Sequence, residues 1–166
     1  MSDNPRSVKE GPLEGSENDE TQGPSLIQTI YASRASEAFV EAELAGLMEQ
    51  SRSNNLRGEL TGMLLYCEGS FFQVLEGEEE AVRSVYHTIE KDPRHEDMVK
   101  IIEEEIEERA FGDWSMGLMT ATRKQIEEGV EGFNDYFQEG TCLTDVDPGR
   151  GRKLLRAFAS GQWRVS

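Results

Sequence analysis

Basic residues are scarce in this sequence, and their scarcity argues against one class of partner. The 166 residues include 17 lysines and arginines against 33 aspartates and glutamates, a formal net charge of −16. Proteins that bind nucleic acids gain affinity from clustered cations that release counterions, so we expect no nucleic-acid partner. The commoner role of such an acidic surface is to keep a protein in solution.

Cysteines and long apolar runs are also few. Cys67 and Cys142 are the only cysteines and form no CxxC pair, so we expect two reduced thiols, without a disulfide or a metal site. No apolar run approaches the ~18 residues of a membrane span, and the N-terminus lacks the basic-then-apolar order of a signal peptide. We therefore expect a cytoplasmic protein with no membrane segment.

The common catalytic motifs are missing as well. The sequence contains no glycine-rich phosphate loop, no HExxH and no GxSxG. His87 and His95 are the only histidines, which gives a histidine-based hydrolase little support. The acidic run EEEIEE is typical of a solvated face. These absences predict that the chain is not an enzyme.

The first 24 residues differ in composition from the rest of the chain. Their only sizeable apolar residues are Met1, Val8 and Leu13, among Gly, Pro, Ser and acids. Such a segment cannot bury enough apolar surface to offset its ordering entropy. We therefore predict a disordered acidic tail over residues 1–24.

Apolar periodicity divides the next part of the chain into strands and helices. It predicts a strand in SLIQTIYAS, a helix in SEAFVEAELAGLMEQSRSNN, a hairpin in ELTGMLLYCEGSFFQVLEG and a helix in EEEAVRSVYHTIEKDP. The hairpin would turn at Glu68 and Gly69, and the first helix would end near Asn54, Asn55 and Gly58.

The later segments are less regular. EDMVKIIEEEIEERAFGDW fits a helix or a short strand, and its local pattern favours the helix. DWSMGLMTA predicts a strand with Trp114, Met116 and Leu118 on one face. RKQIEEGVEGFNDYF and GRKLLRAFASG predict short amphipathic helices. The order βαββαβ then predicts an α+β, ferredoxin-like sheet, with the first two helices on one face and the C-terminal helices on the other.

A glutamine stands in the middle of an otherwise apolar strand. In GSFFQVLEG, Gln73 is surrounded by phenylalanine, valine and leucine. A buried amide without partners costs about 1–3 kcal/mol in lost solvation. Gln73 must therefore either face solvent or meet a polar partner.

Other neutral polar residues fall where the predicted sheet would bring them close to Gln73. Tyr31 lies on the first strand, and Asn54 and Asn55 follow the first helix. Their donors and acceptors suit a planar heteroaromatic ligand with carbonyl and imide groups. Taken singly, Tyr31 also fits a half-buried core tyrosine, and the two asparagines fit a plain helix stop.

Five segments in register resemble one known family. IYAS from Ile30, NNLRGELTGMLLY from Asn54, GSFFQVLEG from Gly69, DPRH from Asp92 and FGDWSMGL from Phe111 resemble successive motifs of the BLUF family, blue-light sensors that use FAD. The resemblance covers roughly residues 25–119 and implies a βαββαββ core, with a strand around 98–105 where the local pattern favours a helix. It implies a flavin-binding photosensor domain over 25–121 and a helical extension for signal output over 122–166.

The resemblance also implies roles for individual residues. Tyr31 resembles the residue that gives an electron and a proton, Gln73 the switching glutamine, and Asn55 the amide at the flavin ring edge. The other positions that resemble flavin contacts are Ser51, Asn54, Asp92, Arg94 and His95. Trp114 and Met116 resemble the residues that pass the signal on from the last strand. The implied cofactor is FAD, with FMN and riboflavin as alternatives, because Thr88 stands where many relatives carry a basic residue.

The implied function is light sensing without chemical turnover. Light would drive an electron and a proton from Tyr31, rotate or tautomerise the Gln73 amide, and shift the flavin absorption to the red. The last strand and the C-terminal helices would carry the change to a protein partner or within a homo-oligomer. Two alternatives stay open: an adaptor that binds flavin or a partner without photochemistry, and an acylphosphatase-like hydrolase, for which Arg34 is the only basic residue near the first strand.

Overall fold

The computed structural model describes residues 25–37, 39–112 and 114–163. The predicted tail over 1–24 lies outside these residues. The strands are β1 (Leu26–Ala35), β2 (Thr61–Cys67), β3 (Ser70–Glu78), β4 (His95–Glu105) and β5 (Gly117–Thr120). The α-helices are α1 (Leu44–Gly58), α2 (Glu79–Glu90), α3 (Arg123–Gly129) and α4 (Pro148–Ala159), with single 3-10 turns at Glu41–Glu43, Phe137–Glu139 and Leu143–Asp145.

The five strands form one mixed sheet in the order β4-β1-β3-β2-β5. All neighbouring strands are antiparallel except β2 and β5, which run parallel. This arrangement is the α+β, ferredoxin-like fold that the sequence pattern predicted, with the βαββαββ order that the family resemblance implied. The two helices that join the strands cover one face, as expected of a split βαβ unit.

The segment that follows α2 is a strand, so the helix favoured by its local pattern is wrong. β4 pairs with β1 along its length, from Ala35 opposite His95 to Ile27 opposite Glu105. The helical spacing of its isoleucines is overridden because the β1 edge offers a row of backbone groups for pairing. The strand implied by the family resemblance is confirmed.

The β2–β3 hairpin turns where the sequence predicted. Cys67 pairs with Ser70, and the two residues between them, Glu68 and Gly69, have φ values of 44° and 91°. Two left-handed residues make the tight turn whose twist suits a hairpin. The turn fixes the register of β3 and therefore the direction in which Gln73 points.

The two faces of the sheet carry separate apolar cores. Helices α1 and α2 cover the first, which we call the helix-face core; it includes Tyr31, Leu64, Phe71 and Met116. The C-terminal helices cover the second, which we call the C-terminal core. Its buried members include Phe72, Val74, Phe111, Phe133, Leu154 and Phe158.

Two helix boundaries differ from the predicted ones. α1 begins at Leu44 after a 3-10 turn and not at Ser36. It ends at Gly58 as predicted, but its left-handed cap is Glu59, with φ 57°. The first C-terminal helix stops at Gly129, because the next residue, Val130, is extended, with φ −125° and ψ 124°, and cannot continue a helix.

The residues that the structure describes meet neither the requirements of a membrane-spanning helix nor those of a metal site. No helix in the described part of the chain has the length and apolar character needed to cross a bilayer. Among the same residues, no group of histidines, cysteines and carboxylates is arranged to hold a metal ion.

Candidate functional site

Tyr31 and Gln73 face each other across β1 and β3. The two residues are directly opposite in the register, and both side chains are buried. The Tyr31 hydroxyl donates a hydrogen bond to Oε1 of Gln73. Gln73 therefore has the polar partner that its burial requires, and it does not face solvent.

The surroundings of Tyr31 hold its hydroxyl in the protonated form. Burial raises the pKa of Tyr31 well above its usual range, and the nearby Tyr86 and Asp92 raise it further. The Tyr86 ring stands edge-on to the Tyr31 ring, with 5.2 Å between centroids. Removing an electron from a protonated phenol is easier when the proton is transferred as well. The acceptor in contact with the Tyr31 hydroxyl is Gln73 Oε1.

The amide nitrogen of Gln73 is less well satisfied. Its contact is Met116 Sδ at 3.7 Å, and a thioether is a weak acceptor. An amide nitrogen carries two hydrogens, and no second acceptor for them lies among the described residues. A buried donor with this shortfall marks a place where a ligand carbonyl would be stabilised.

Residues 114–116 lead into β5, and each of their backbone carbonyls accepts a hydrogen bond from α1 or β2. The carbonyl of Trp114 accepts from the Gly62 backbone at 3.1 Å. The carbonyl of Ser115 accepts from Asn55 Nδ2 at 2.6 Å, and that of Met116 from Arg52 Nε at 3.1 Å. α1 and β2 therefore hold this segment from two sides.

Trp114 and Met116 lie on opposite faces of the sheet. The backbone bends at Ser115 and Met116, and β5 begins only at Gly117, so the alternation of a regular strand does not apply. Met116 and Leu118 pack in the helix-face core. Trp114 packs in the C-terminal core, 5.2 Å from the Phe111 ring. The prediction that Trp114 shares a face with Met116 and lies on the last strand is wrong.

A cleft between α1 and α2 has Gln73 in its wall. The lining residues come from α1, from the strands beneath it, and from α2 and the loop that follows. They are Leu47, Gln50, Ser51, Asn54, Leu64, Gln73, Thr88, Ile89, Asp92, Arg94 and His95. The open volume is about 30 Å³, room for little more than water, so a tricyclic ring enters only if α1 and α2 lie farther apart.

An ion pair closes one end of the cleft. Arg94 contacts the Asp92 carboxylate at 2.5 Å and donates to Gln50 Oε1 on α1 at 2.7 Å. These bonds to Arg94 lower the pKa of Asp92. The loop after α2 is thus linked to α1 by a cation whose carboxylate partner stays ionised.

His95 is buried beside this ion pair. Its Nδ1 and the Ser33 Oγ share a hydrogen bond of 2.8 Å, and its ring lies 4.7 Å from Phe71. Burial lowers the pKa of His95 to about 4; Asp92 opposes the shift and Arg94 adds to it. The imidazole is therefore neutral at neutral pH.

Most of the residues predicted to bind a cofactor meet in this cleft. Those that line it are Ser51, Asn54, Gln73, Asp92, Arg94 and His95. Asn55 does not line the cleft, because its amide is turned to the Ser115 carbonyl. Asn54 does line it, and its Oδ1 accepts a hydrogen bond from Arg57. The sequence reading missed Gln50, although Leu47, Gln50, Ser51 and Asn54 follow the i, i+3, i+4, i+7 spacing of one helix face. It also missed Arg52.

The donors and acceptors of the cleft fit a flavin. Its lining includes neutral amides and hydroxyls, a buried amide nitrogen that lacks a strong acceptor, and apolar side chains from α1 and α2. A planar ring with carbonyl and imide groups needs this combination of flat apolar contact and neutral hydrogen bonds.

Comparison with known proteins points to one family. Residues 26–117 match BLUF, described as sensors of blue-light using FAD. A curated relative, photoactivated adenylate cyclase subunit beta of Euglena longa, is 35% identical over 106 residues, which make up 63% of this chain. The chain spans only 12% of the length of that relative.

Solved structures agree with the family match. The dark-state structure of BlrB, a BLUF protein, superimposes with a TM-score of 0.66 at 31% identity, covering 82% of this chain and 97% of that one. Klebsiella pneumoniae BlrP1 with FMN and cyclic diGMP superimposes with a TM-score of 0.57 at 30% identity, covering 82% of this chain and 35% of that one.

Proposed function

This chain belongs to the BLUF family of blue-light sensors that use a flavin, and from that premise we propose that it is a photoreceptor switched by Tyr31 and Gln73. We assign the photosensor to residues 25–121 and signal output to 122–166. The observation that carries the proposal is the buried hydrogen bond from Tyr31 to Gln73, because Gln73 also lines the cleft whose hydrogen-bonding groups suit a flavin.

A bound flavin would supply blue-light absorption and an acceptor for one electron and one proton. Tyr31 is the donor of both, and its proton leaves along the hydrogen bond to Gln73 Oε1. Once Tyr31 has regained its electron and proton, the Gln73 amide would be left rotated or tautomerised. An amide suits this task because its two ends exchange donor and acceptor in nearly the same shape.

Rotation of Gln73 gives a reason for Met116 to move. In the present arrangement the amide nitrogen donates to Met116 Sδ. After a half-turn the amide oxygen would face that sulfur, and two acceptors make no hydrogen bond. Met116 and the adjoining Trp114 then pass the change to the C-terminal core, against which Trp114 packs.

The cofactor contacts follow from the cleft. Ser51, Asn54, Asp92, Arg94 and His95 would hold the flavin, with Asn55 joining them if its amide turns from Ser115. We assign FAD from the family description. FMN and riboflavin are the alternatives, because the neutral Thr88 lines the cleft and BlrP1 was solved with FMN.

The output is a contact with another protein and not a reaction on this chain. Tyr31 and Gln73 would return to their starting arrangement after each light response, so no substrate is consumed. We propose that the chain catalyses no turnover, acts in the cytoplasm, and signals through a homo-oligomer or a downstream protein partner.

The test is absorption spectroscopy of the purified protein before and after blue light. We expect a yellow protein whose flavin bands shift reversibly to the red and return in darkness. Gln73→Leu should bind flavin and show no shift, because leucine can neither donate nor accept. A protein that takes up no flavin would contradict the proposal, and a yellow protein without a shift would leave only a flavin-binding adaptor.

A matched pair of tyrosine variants tests the electron donor. Tyr31→Phe should abolish the reversible shift while flavin stays bound. Tyr86→Phe removes a hydroxyl from the ring that contacts Tyr31 edge-on, and it should keep the shift. If both variants behave alike, Tyr31 is not the donor.

A further inference from the structure

A second polar side chain on β3 is more deeply buried than Gln73. Glu76 is fully buried and lies three residues further along the strand, so it points to the opposite face of the sheet. A buried carboxylate is unfavourable unless it is fully hydrogen-bonded. Nothing in the flavin cleft uses this residue.

Each carboxylate oxygen of Glu76 accepts two hydrogen bonds. Oε2 accepts from Gln28 Nε2 at 2.8 Å and from the Ala110 backbone at 2.7 Å. Oε1 accepts from the Thr61 hydroxyl at 3.0 Å and from the Phe111 backbone at 3.0 Å. Four donors match the capacity of an ionised carboxylate, and two of them belong to the loop between β4 and β5.

The anchored loop leads directly to the signalling segment. The Trp114 backbone donates to the Phe111 carbonyl at 2.9 Å, and the rings of these two residues are in contact. Two residues later, Met116 reaches Gln73 through the helix-face core. The Arg109 side chain adds bonds to the Thr61 hydroxyl at 3.0 Å and the Glu76 carbonyl at 3.1 Å.

We propose that Glu76 is a positioning residue that fastens the β4–β5 loop to the sheet and thereby sets how fast the light-induced state returns in darkness. The proposal rests on the proposed photoreceptor function. If Met116 moves when Gln73 rotates, the loop that leads to Met116 must loosen at the barrier. Charge-assisted bonds to Ala110 and Phe111 resist that loosening, so they raise the barrier.

The variant Glu76→Gln tests the anchor because an amide nitrogen cannot accept a hydrogen bond. Whichever way the new amide is turned, either the Ala110 or the Phe111 backbone loses its acceptor. We expect the red shift to keep its size, since Gln73 is untouched, and dark recovery to become about tenfold faster, which matches one charge-assisted bond.

The matched control is Gln28→Met. It removes a donor to the same carboxylate at nearly the same distance, but it leaves both loop hydrogen bonds in place. Its dark recovery should stay within about twofold of the wild type. Equal acceleration in both variants would mean that any loss of stability speeds recovery, and it would overturn the role assigned to the loop anchor.

A second variant and a second measurement cover the case in which Glu76→Gln does not fold. Arg109→Gln removes two hydrogen bonds from a half-buried side chain and should also speed recovery. Hydrogen–deuterium exchange on the flavin-loaded protein should show faster exchange in residues 107–112 of either variant. Unchanged recovery or unchanged exchange would overturn the proposal.

The two proposals fail in different ways. A wild-type protein that never shifts would contradict the photoreceptor function, and the recovery rate assigned to Glu76 would fall with it. A wild-type protein with a normal shift and an unaltered Glu76→Gln recovery would contradict the positioning role alone.

Discussion

The buried polar side chains of Gln73 and Glu76 point to opposite faces of β3, and their hydrogen bonding differs. Gln73 faces the cleft with one strong partner and one weak one, whereas Glu76 faces the C-terminal core with four donors. An incompletely satisfied amide can exchange partners at little cost, while a saturated carboxylate resists any change. The side chain proposed to switch and the side chain proposed to anchor the loop are thus three positions apart on one strand.

His95 should make the stability of the protein depend on pH. Its pKa is lowered to about 4 by burial, against an ordinary value near 6.5 in the unfolded chain. Between these pH values the unfolded chain binds a proton that the folded chain does not. The unfolding free energy should therefore fall as the pH is lowered from about 6.5 to 4, by up to about 1.4 kcal/mol per pH unit, with no contribution above that window.

Urea denaturation at several pH values measures this effect. The glutamine of the His95→Gln variant cannot titrate. The difference in unfolding free energy between the variant and the wild type should therefore be constant above pH 6.5. Below pH 6.5 the wild type should lose stability relative to the variant. His87→Gln, at an exposed position on α2, should follow the wild type. A wild-type slope in the His95→Gln protein would show that other groups cause the pH dependence.

The residues of the site were predictable where a side chain broke a local rule. Gln73 stands out in an apolar strand, and its pairing with Tyr31 follows once β1 and β3 are adjacent. Glu76 did not stand out, because acids abound in this sequence and its four donors come from three distant segments. Arg52 could not be found either, since its contact is a backbone carbonyl on a distant segment.

Elements were predictable to the extent that local pattern and sheet pairing agree. The β2–β3 hairpin was predicted because its local pattern matches its pairing in the sheet. α2 was predicted because its apolar stripe matches the face that it buries. β4 did not follow its local pattern, because pairing with β1 outweighs the helical spacing of its isoleucines. The face of Trp114 was mispredicted, since alternation holds only within a regular strand and β5 begins three residues later.

α1 is capped by a residue with an unfavourable backbone conformation. Glu59 has the left-handed φ of 57°, which is unfavourable for any residue except glycine. Glu59→Gly should raise the unfolding free energy by about 0.5–1 kcal/mol, because relief of strain exceeds the added entropy of the unfolded chain.

Glu59→Ala is the control in urea denaturation, because alanine keeps the strain and loses only the exposed carboxylate. Its stability should stay within about 0.5 kcal/mol of the wild type. A glycine variant no more stable than the alanine variant would mean that residue 59 is not strained in the folded protein.

One sheet belongs to both apolar cores, so a substitution that destabilises one core should lower the stability of the other as well. Leu154 on α4 is fully buried in the C-terminal core. Leu154→Ala should lower the unfolding free energy by about 2–5 kcal/mol through lost burial and a cavity. Because the sheet belongs to both cores, unfolding should remain a single transition.

Thermal unfolding followed by far-ultraviolet circular dichroism measures the change. Leu155→Ala alters the neighbouring, half-buried leucine of the same helix, and it should lower the midpoint by less. Two separate transitions in the Leu154→Ala protein would contradict the shared-sheet description, since the helix-face layer would then be stable without the C-terminal layer.

The two tryptophans of the chain lie on the same side of the sheet. Trp114 and Trp163 both pack against the C-terminal core, and the helix-face core contains no indole ring. Tryptophan fluorescence of this protein therefore originates in the C-terminal layer. An emission change on illumination would report that light absorbed in the cleft has altered the far side of the sheet, without any label attached to the protein.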